Sequence, residues 1–452
     1  MQTLDTEVLV IGAGSIGISV AYYLKHLRPN HRVTLIDCMQ PMAFTSAQSG
    51  ENYRNWWPHP VMRDFTDHSI DLMEQIARDT KNQIQMTRGG YLLATRSSDI
   101  EPYLADLSAG YKGSRQEVRI HNMPTSVTYQ PAEAIGWESA PDGVDILSNN
   151  FIIKRHYPYF DPKLNAVFHV RKAGTISSQQ LGQYMLAAFK ASGGARLIGK
   201  IKAIEKSNRF QVTLDDGRHI FAEQIVNAAG PFVGEIAGML GVELPVENWV
   251  QQKIAFEDSL GVISRTMPFA IDLDGQRLDW DDEERSLLKG DPEFSWLASD
   301  LPGGVHCRPD GGLKGKWLKL GWAYNQLDSL PSFEAQLDDQ FPEIVLRGAA
   351  RLNPALKAYY GKLPRAMVHY GGYYTLTKEN WPLLGPTKVG GFYVAGALSG
   401  FGTMAACASG ELVAQWVLGE ELPHYAGPLS PRRYENDLYA GMIQQQKNRG
   451  IL

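Results

Sequence analysis

Two rhythms of apolar and polar positions run through this chain, and the places where one gives way to the other mark its elements. Residues 7–12 read EVLVIG, an unbroken run of apolar and β-branched residues suited to a strand covered on both faces of a parallel sheet. The next apolar set, in ISVAYYLKHL (18–27), recurs at helical spacing, and RVTLID (32–37) reads as a second strand. The strand–turn–helix order returns twice. AEQIVNAAGPFVGEIAGMLG (222–241) predicts a strand over 224–228, a turn at Ala229-Gly230-Pro231 and then a helix. GGFYVAGALSGFGTMAACASGELVAQWVLG (390–419) predicts a strand over 391–395, a glycine-rich turn and a helix from about Gly402 to Leu418. The tract from Trp249 to Ser332 instead mixes aromatics, acids and glycines with little helical period, which suits a large antiparallel sheet with long loops. Within it, the alternation of WLKLGW (317–322) sets Leu318, Leu320 and Trp322 on one face and Lys319 on the other. The segment DWDDEERSLL (279–288) reads as a solvated helix or loop with no chemistry assigned.

The first turn carries Gly12-Ala13-Gly14-Ser15-Ile16-Gly17, a GxGxxG in its required place between strand and helix. Gly12 permits the tight turn, Gly14 the approach of a pyrophosphate, and Gly17 close helix–sheet packing. The helix N-terminus offers free N–H groups and partial positive charge to the phosphates. Asp37 ends the second strand twenty residues beyond Gly17, where a carboxylate accepts hydrogen bonds from ribose hydroxyls and disfavours a 2′-phosphate. The motif predicts a dinucleotide and leaves NAD and FAD open. A second glycine-rich strand–turn–helix late in the chain is foreign to a simple NAD dehydrogenase. It fits FAD if that helix points its N-terminus at the flavin, where dipole and N–H groups stabilise a reduced, anionic ring.

Length and composition narrow the field. A chain of 452 residues predicts two domains. A net charge of −5 with no basic tract gives no reason to expect nucleic acid. The cysteines, Cys38, Cys307 and Cys407, are odd in number and lack CxxC spacing, so neither a disulfide framework nor a zinc site is expected, and no other metal is. The opening lacks a basic segment and a cleavage site, and the most apolar late stretch is glycine-rich and too short to span a bilayer. A cytoplasmic protein without a membrane span is expected.

Taken in order, VLVIGAGSIG…LID, the loop TSAQSGENYR (45–54), IVNAAGP and GGYYTLTKENWPLLGP…GGFYVAGALSGFGTMAACASGEL resemble the D-amino-acid oxidase superfamily of FAD-dependent enzymes. Glycine oxidase and monomeric sarcosine oxidase are the members in view, and the resemblance runs from Val8 to Leu412. It implies an α/β fold with a Rossmann-type FAD-binding domain and a second, α+β substrate domain on a large, mostly antiparallel sheet. The first would take 1–90, 150–240 and 360–452, the second 91–149 and 241–359. The implied cofactor set is Gly12, Gly14, Ser15, Ile16, Gly17, Asp37 and Cys38 from the first motif and Thr45, Ser46, Ser49 and Gly50 from the loop. Ala228, Ala229 and Gly230 join it from the second motif, with Gly372, Gly400, Phe401, Gly402, Thr403 and Met404 from the last segments.

Such enzymes need no nucleophile, because the isoalloxazine accepts a hydride. The resemblance places Lys319 where sarcosine oxidase has its oxygen-activating lysine, with Ala323 in place of that family's histidine four residues on. Tyr374 falls at the carboxylate-binding arginine of glycine oxidase and at a pocket tyrosine of sarcosine oxidase, and Tyr373 is beside it. Met404 replaces a second carboxylate-binding lysine, and Gly372 replaces the cysteine that links flavin, so FAD is expected to be non-covalent. Arg54 and Arg308 are the candidates for holding an acidic substrate, each with a structural ion pair as its alternative reading. Trp56, Trp57 and His59 either wall a pocket or fill a domain interface. The expected reaction is oxidation of a C–N bond of a secondary amine or amino acid by hydride transfer to flavin N5, the imine then hydrolysing, with O₂ the expected acceptor and another acceptor the alternative. Oxidation of a 2-hydroxy acid with a quinone or carrier, and a non-catalytic flavoprotein assembly factor, are the alternatives.

Overall fold

The apolar run at the start becomes the centre of the first sheet. In the computed structural model, which describes residues 3–114, 117–123, 129–132, 137, 138, 140–446 and 448–450, strand Thr3–Ile11 lies parallel between Val33–Asp37 and His219–Asn227. Val8, Leu9 and Val10 are fully buried, as expected of a strand covered on both sides. One face carries helices Ser15–Leu27, Ser178–Ala191 and Gly402–Leu418. The other is closed by the antiparallel strands Ile201–Lys206 and Phe210–Leu214 and the short helix Val233–Gly238. Phe392–Gly396 adds parallel to His219–Asn227, and Leu383–Pro386 folds back on it, completing eight strands with Ala195–Ile198 at the far edge.

The second sheet has nine strands and is mostly antiparallel. Glu247–Glu257 sits between Val368–Leu376 and Trp317–Trp322, and the order continues through Val305–Asp310, Phe269–Asp272 and Tyr91–Thr95 to Ala166–Val170. Its covered face packs Ile254, Phe256, Leu318, Leu320 and Trp322 under helix Phe341–Leu352. The alternation read in WLKLGW is therefore a real two-faced strand. Ala166–Val170 and Val368–Leu376 lie inside stretches expected to serve the FAD domain, yet both pair into this sheet, each hydrogen-bonded along its length to one of the sheet's own strands. A small ribbon of Asn52–Arg54 against Ala173–Thr175 stands apart from both sheets. Helix Asp282–Gly290, opened by an Asp281/Glu284 capping box and with no buried residue, is the solvated segment expected there.

Candidate active site

The GxGxxG turn closes as its glycines require. Gly12 has φ +105°, and a Cβ at Gly17 would fall 1.8 Å from the Gly12 carbonyl oxygen, so a side chain at Gly17 would force helix and strand apart. Beyond the turn runs a trough of about 1040 Å³ lined by Gly12, Gly14, Asp37, Cys38, Ala228 and Gly230 among others. Asp37 accepts from the Ala13 N–H at 2.6 Å and the Met39 N–H at 2.8 Å. Each oxygen keeps a further lone pair for a hydroxyl. The helix N-cap Gly14 makes no side-chain cap, and the first turn holds no acid, which leaves the helix end open to phosphate. Ile16 packs toward the core and Gly17 is buried in the helix–strand contact; neither lines the trough.

Thr45 and Ser46 also line a second chamber of about 1020 Å³, so the two spaces share a wall. Gly372, Gly400, Phe401, Gly402, Thr403 and Met404 border this cleft, as do Ser15, Ser49, Gly50, Tyr373 and Tyr374. Helix Gly402–Leu418 starts at its rim, again with no acid in the first turn and no side-chain cap. Ser49 Oγ and Thr403 Oγ1 are 2.7 Å apart, tying the loop to that helix. Thr45 Oγ1 and Asn52 Oδ1 are buried without a hydrogen-bond partner among the described residues. Buried polar atoms normally have one, so the trough and cleft together suit a ligand with its own donors and acceptors, as a flavin dinucleotide has. Gly400 is small for a reason: a Cβ there would meet the Tyr374 hydroxyl at 2.5 Å.

The cleft sorts the expected basic residues. Arg54, at the end of the small ribbon, is buried on its wall with its guanidinium 4.9 Å from the Trp57 ring and 5.8 Å from the Tyr91 ring. It donates to the backbone carbonyls of Trp56, at 3.2 Å, and Gly450, at 2.9 Å. Among the described residues it has no carboxylate partner. Arg308 does not line the cleft. Its guanidinium pairs with Asp310 at 2.7 Å and donates to the Gly50 carbonyl at 3.0 Å. Lys319 also lies off the cleft, its ammonium 3.2 Å from Asp310 and 3.4 Å from Glu51. Arg308 lines a separate cavity that shares Glu51 and Phe269 with the cleft, and Lys319 reaches two of its lining residues, Glu51 and Asp310. Tyr373 turns its hydroxyl away, accepting from the Ser332 N–H at 3.0 Å. Trp57 walls the cleft, Trp56 packs into the apolar cluster under the second sheet, and His59 caps helix Pro60–Asp79.

Two basic side chains of the cleft, Lys253 and His306, were not singled out from the sequence. Lys253 is buried on the wall with its ammonium 5.7 Å from the Tyr374 ring, and it makes no ion pair or hydrogen bond among the described residues. Burial alone pushes its pKa down to about 8. Its signal was the strand rhythm itself, because Ile254 and Phe256 face the core and the alternation turns Lys253 to the opposite face, where it lines the cleft. His306 Nδ1 lies 3.1 Å from the Gly304 carbonyl. A carbonyl only accepts, so Nδ1 carries the proton and Nε2 keeps its lone pair. Burial, reinforced by the charge of Lys253, pushes His306 down to about 4, so it is a neutral imidazole near pH 7.

No match was found among curated proteins compared by sequence. Solved structures match along nearly the whole chain. L-proline dehydrogenase from P. horikoshii is 18% identical with a TM-score of 0.72, covering 96% of this chain and 99% of that one. Glycine oxidase from Geobacillus kaustophilus is 15% identical with a TM-score of 0.70, covering 94% and 98%. Iminodiacetate oxidase from Chelativorans sp. BNC1 is 18% identical with a TM-score of 0.66, covering 94% and 99%. At these identities the likeness is one of fold. No helix among the described residues is long and apolar enough to cross a membrane. The family model of the DAO FAD dependent oxidoreductases matches residues 7–416, the span that holds the trough and, Gly450 apart, the lining of the cleft, and the chain belongs to that family.

Proposed function

We propose that this enzyme oxidises the C–N bond of an amino acid or related secondary amine. The carrying observation is Arg54, a cation buried in the cleft with no carboxylate beside it among the described residues. A buried guanidinium without an acid is costly, and a substrate carboxylate removes that cost while fixing the α-carbon in place. Tyr374 lies close enough to feel the charge of Arg54, and its phenol is the neutral donor of this pocket. The positive field of the cleft also disfavours an ammonium, so the substrate amine is held neutral, and the free Nε2 of His306 accepts a hydrogen bond from its N–H. When bound, FAD supplies the hydride acceptor. The substrate leaves as an imine that water hydrolyses.

Gly12, Gly14, Asp37, Ser46 and Ala229 would hold the dinucleotide, and the N-terminus of helix Gly402–Leu418 the flavin end. Attachment is non-covalent. Gly372 offers no thiol, Cys38 lies on the trough beside Asp37 and not on the cleft, and Cys307 and Cys407 are buried, their thiols pushed up by that burial. The acceptor is tested separately. Lys319, the expected oxygen-activating residue, stands between two carboxylates that offset its charge, which favours a carrier over O₂ as the second reading. Peroxide release during turnover, or dye reduction without it, decides between them. Replacing Arg54 with Met is expected to lower kcat/KM at least 100-fold, about the 3 kcal/mol of one desolvated charged hydrogen-bonding partner, with FAD content unchanged. Anaerobic flavin bleaching by an amine and amino-acid panel measures it, and equal bleaching by the variant removes Arg54 from the site.

A further inference from the structure

The charge of the cleft is not balanced by one carboxylate. Arg54 and Lys253 both line it, come from different elements and meet no acid among the described residues. Among the described residues Glu51 is the single carboxylate on the lining. It is already engaged, accepting from the Ser178 N–H and hydroxyl at 3.1 Å each and lying 3.4 Å from Lys319. Glu51, Asp310, Arg308 and Lys319 form one connected group of two acids and two bases, so the group sums to zero. His306 adds no charge, because it stays a neutral imidazole. The cleft therefore holds two uncompensated cations, and the oxidised isoalloxazine, being neutral, cancels neither.

We propose that the substrate is an amine whose skeleton carries two acid groups, one received by Arg54 and the other by Lys253. This rests on the reading of Arg54 as a carboxylate partner and extends it to Lys253. The two cations come from the small ribbon and from the nine-stranded sheet. The Lys253 ammonium is 5.7 Å from the Tyr374 ring and Arg54 is near enough for its charge to act on the Tyr374 phenol, so one molecule reaching both lies beside Tyr374. A monocarboxylic amino acid leaves the Lys253 ammonium buried and alone, the costlier arrangement. The selectivity follows from that difference, and Met404, which has no charge to offer, takes no part in it.

The test titrates the FAD-loaded protein with unreactive acids and follows the flavin spectrum. The probes are malonate, succinate, glutarate and adipate, each against the monocarboxylate of equal length. The best diacid is expected to bind at least tenfold tighter than its monoacid partner, and Lys253→Met to bring the two to the same affinity. Equal binding of the pairs by the unaltered protein overturns the proposal. So does a Lys253→Met protein that keeps the diacid preference while its flavin potential shifts, which assigns the lysine to the reduced flavin instead. If neither acid class perturbs the spectrum, and Arg54→Met changes nothing, the reading of Arg54 has failed as well; monoacid binding that Arg54→Met abolishes preserves that reading alone.

Discussion

Lys253 carries a physical signature that can be read without any substrate. Its ammonium is buried, and the lowered pKa of about 8 stands against an ordinary value of 10.5. The unfolded chain therefore binds this proton more tightly than the folded one, and folding is penalised while the lysine stays charged. The penalty is present below about pH 8 and fades as the pH rises toward 10.5. Relative to a Lys253→Met variant, the ligand-free protein should gain up to about 3 kcal/mol between pH 7 and 10, a difference that denaturant titrations at the two pH values resolve. A gap that does not change with pH places a counter-ion beside Lys253. His306 behaves differently: at about 4 its proton is already lost through the whole of that range, so it contributes no slope there.

Single elements bring together what the residues need. The loop 325–338 hangs from the nine-stranded sheet, held at its base where Gln251 donates to the Asn325 carbonyl at 2.6 Å and Ser329 to the Asn248 carbonyl at 2.8 Å. Its tip sets Phe333 on the wall of the dinucleotide trough, 4.7 Å from the ring of Phe232 and 5.5 Å from that of Phe44. The other apolar side chain of that tip, Leu330, is 91% exposed and serves as a control. Truncating Phe333 to Ala is expected to speed FAD release about tenfold, the worth of one aromatic contact of roughly 1.4 kcal/mol. Leu330→Ala should leave the rate alone. The rise of flavin fluorescence on dilution reports both, and equal rates for all three proteins remove the ring from cofactor retention. Phe333 is itself 44% exposed, so its loss leaves the folded core intact.

At the scale of the molecule, the cleft belongs to neither sheet. The eight-stranded sheet supplies the glycine turns and the helix from Gly402, the nine-stranded sheet supplies Lys253, His306 and Tyr374, and the ribbon supplies Arg54. A ligand lying along trough and cleft touches all three, so loading couples their stability. Removing FAD should lower the melting temperature and split the transition, because a ligand at a thousand times its Kd contributes about 4 kcal/mol to every unit that binds it. Calorimetry of apo and reconstituted protein measures this; coincident transitions at one temperature would show that the sheets hold together unaided.

Much of this architecture was legible in the order of residues. The run Val8–Ile11, the glycines at 12, 14 and 17 and the carboxylate at Asp37 encode a dinucleotide trough because its geometry is local: one strand, one turn, one helix, and a second strand a fixed distance on. The helix Gly402–Leu418 was predicted with the ends observed, since its apolar stretch is long and closes at Gly419. The alternation of WLKLGW likewise fixed which side of its strand Lys319 takes. Which basic side chain is free and which is paired was not legible. Arg54 and Arg308 look equally available along the chain, yet Arg308 meets Asp310 at 2.7 Å while Arg54 meets the rings of Trp57 and Tyr91 and the carbonyls of Trp56 and of Gly450, nearly four hundred residues away, and no acid among the described residues. Lys319 is neutralised by Glu51, brought to it from 268 positions away, and Lys253 is left alone by the same packing. Charge compensation depends on distances through space that no local pattern records, so the sequence by itself determined the trough, and only the tertiary structure decided which cations in the cleft remain unpaired.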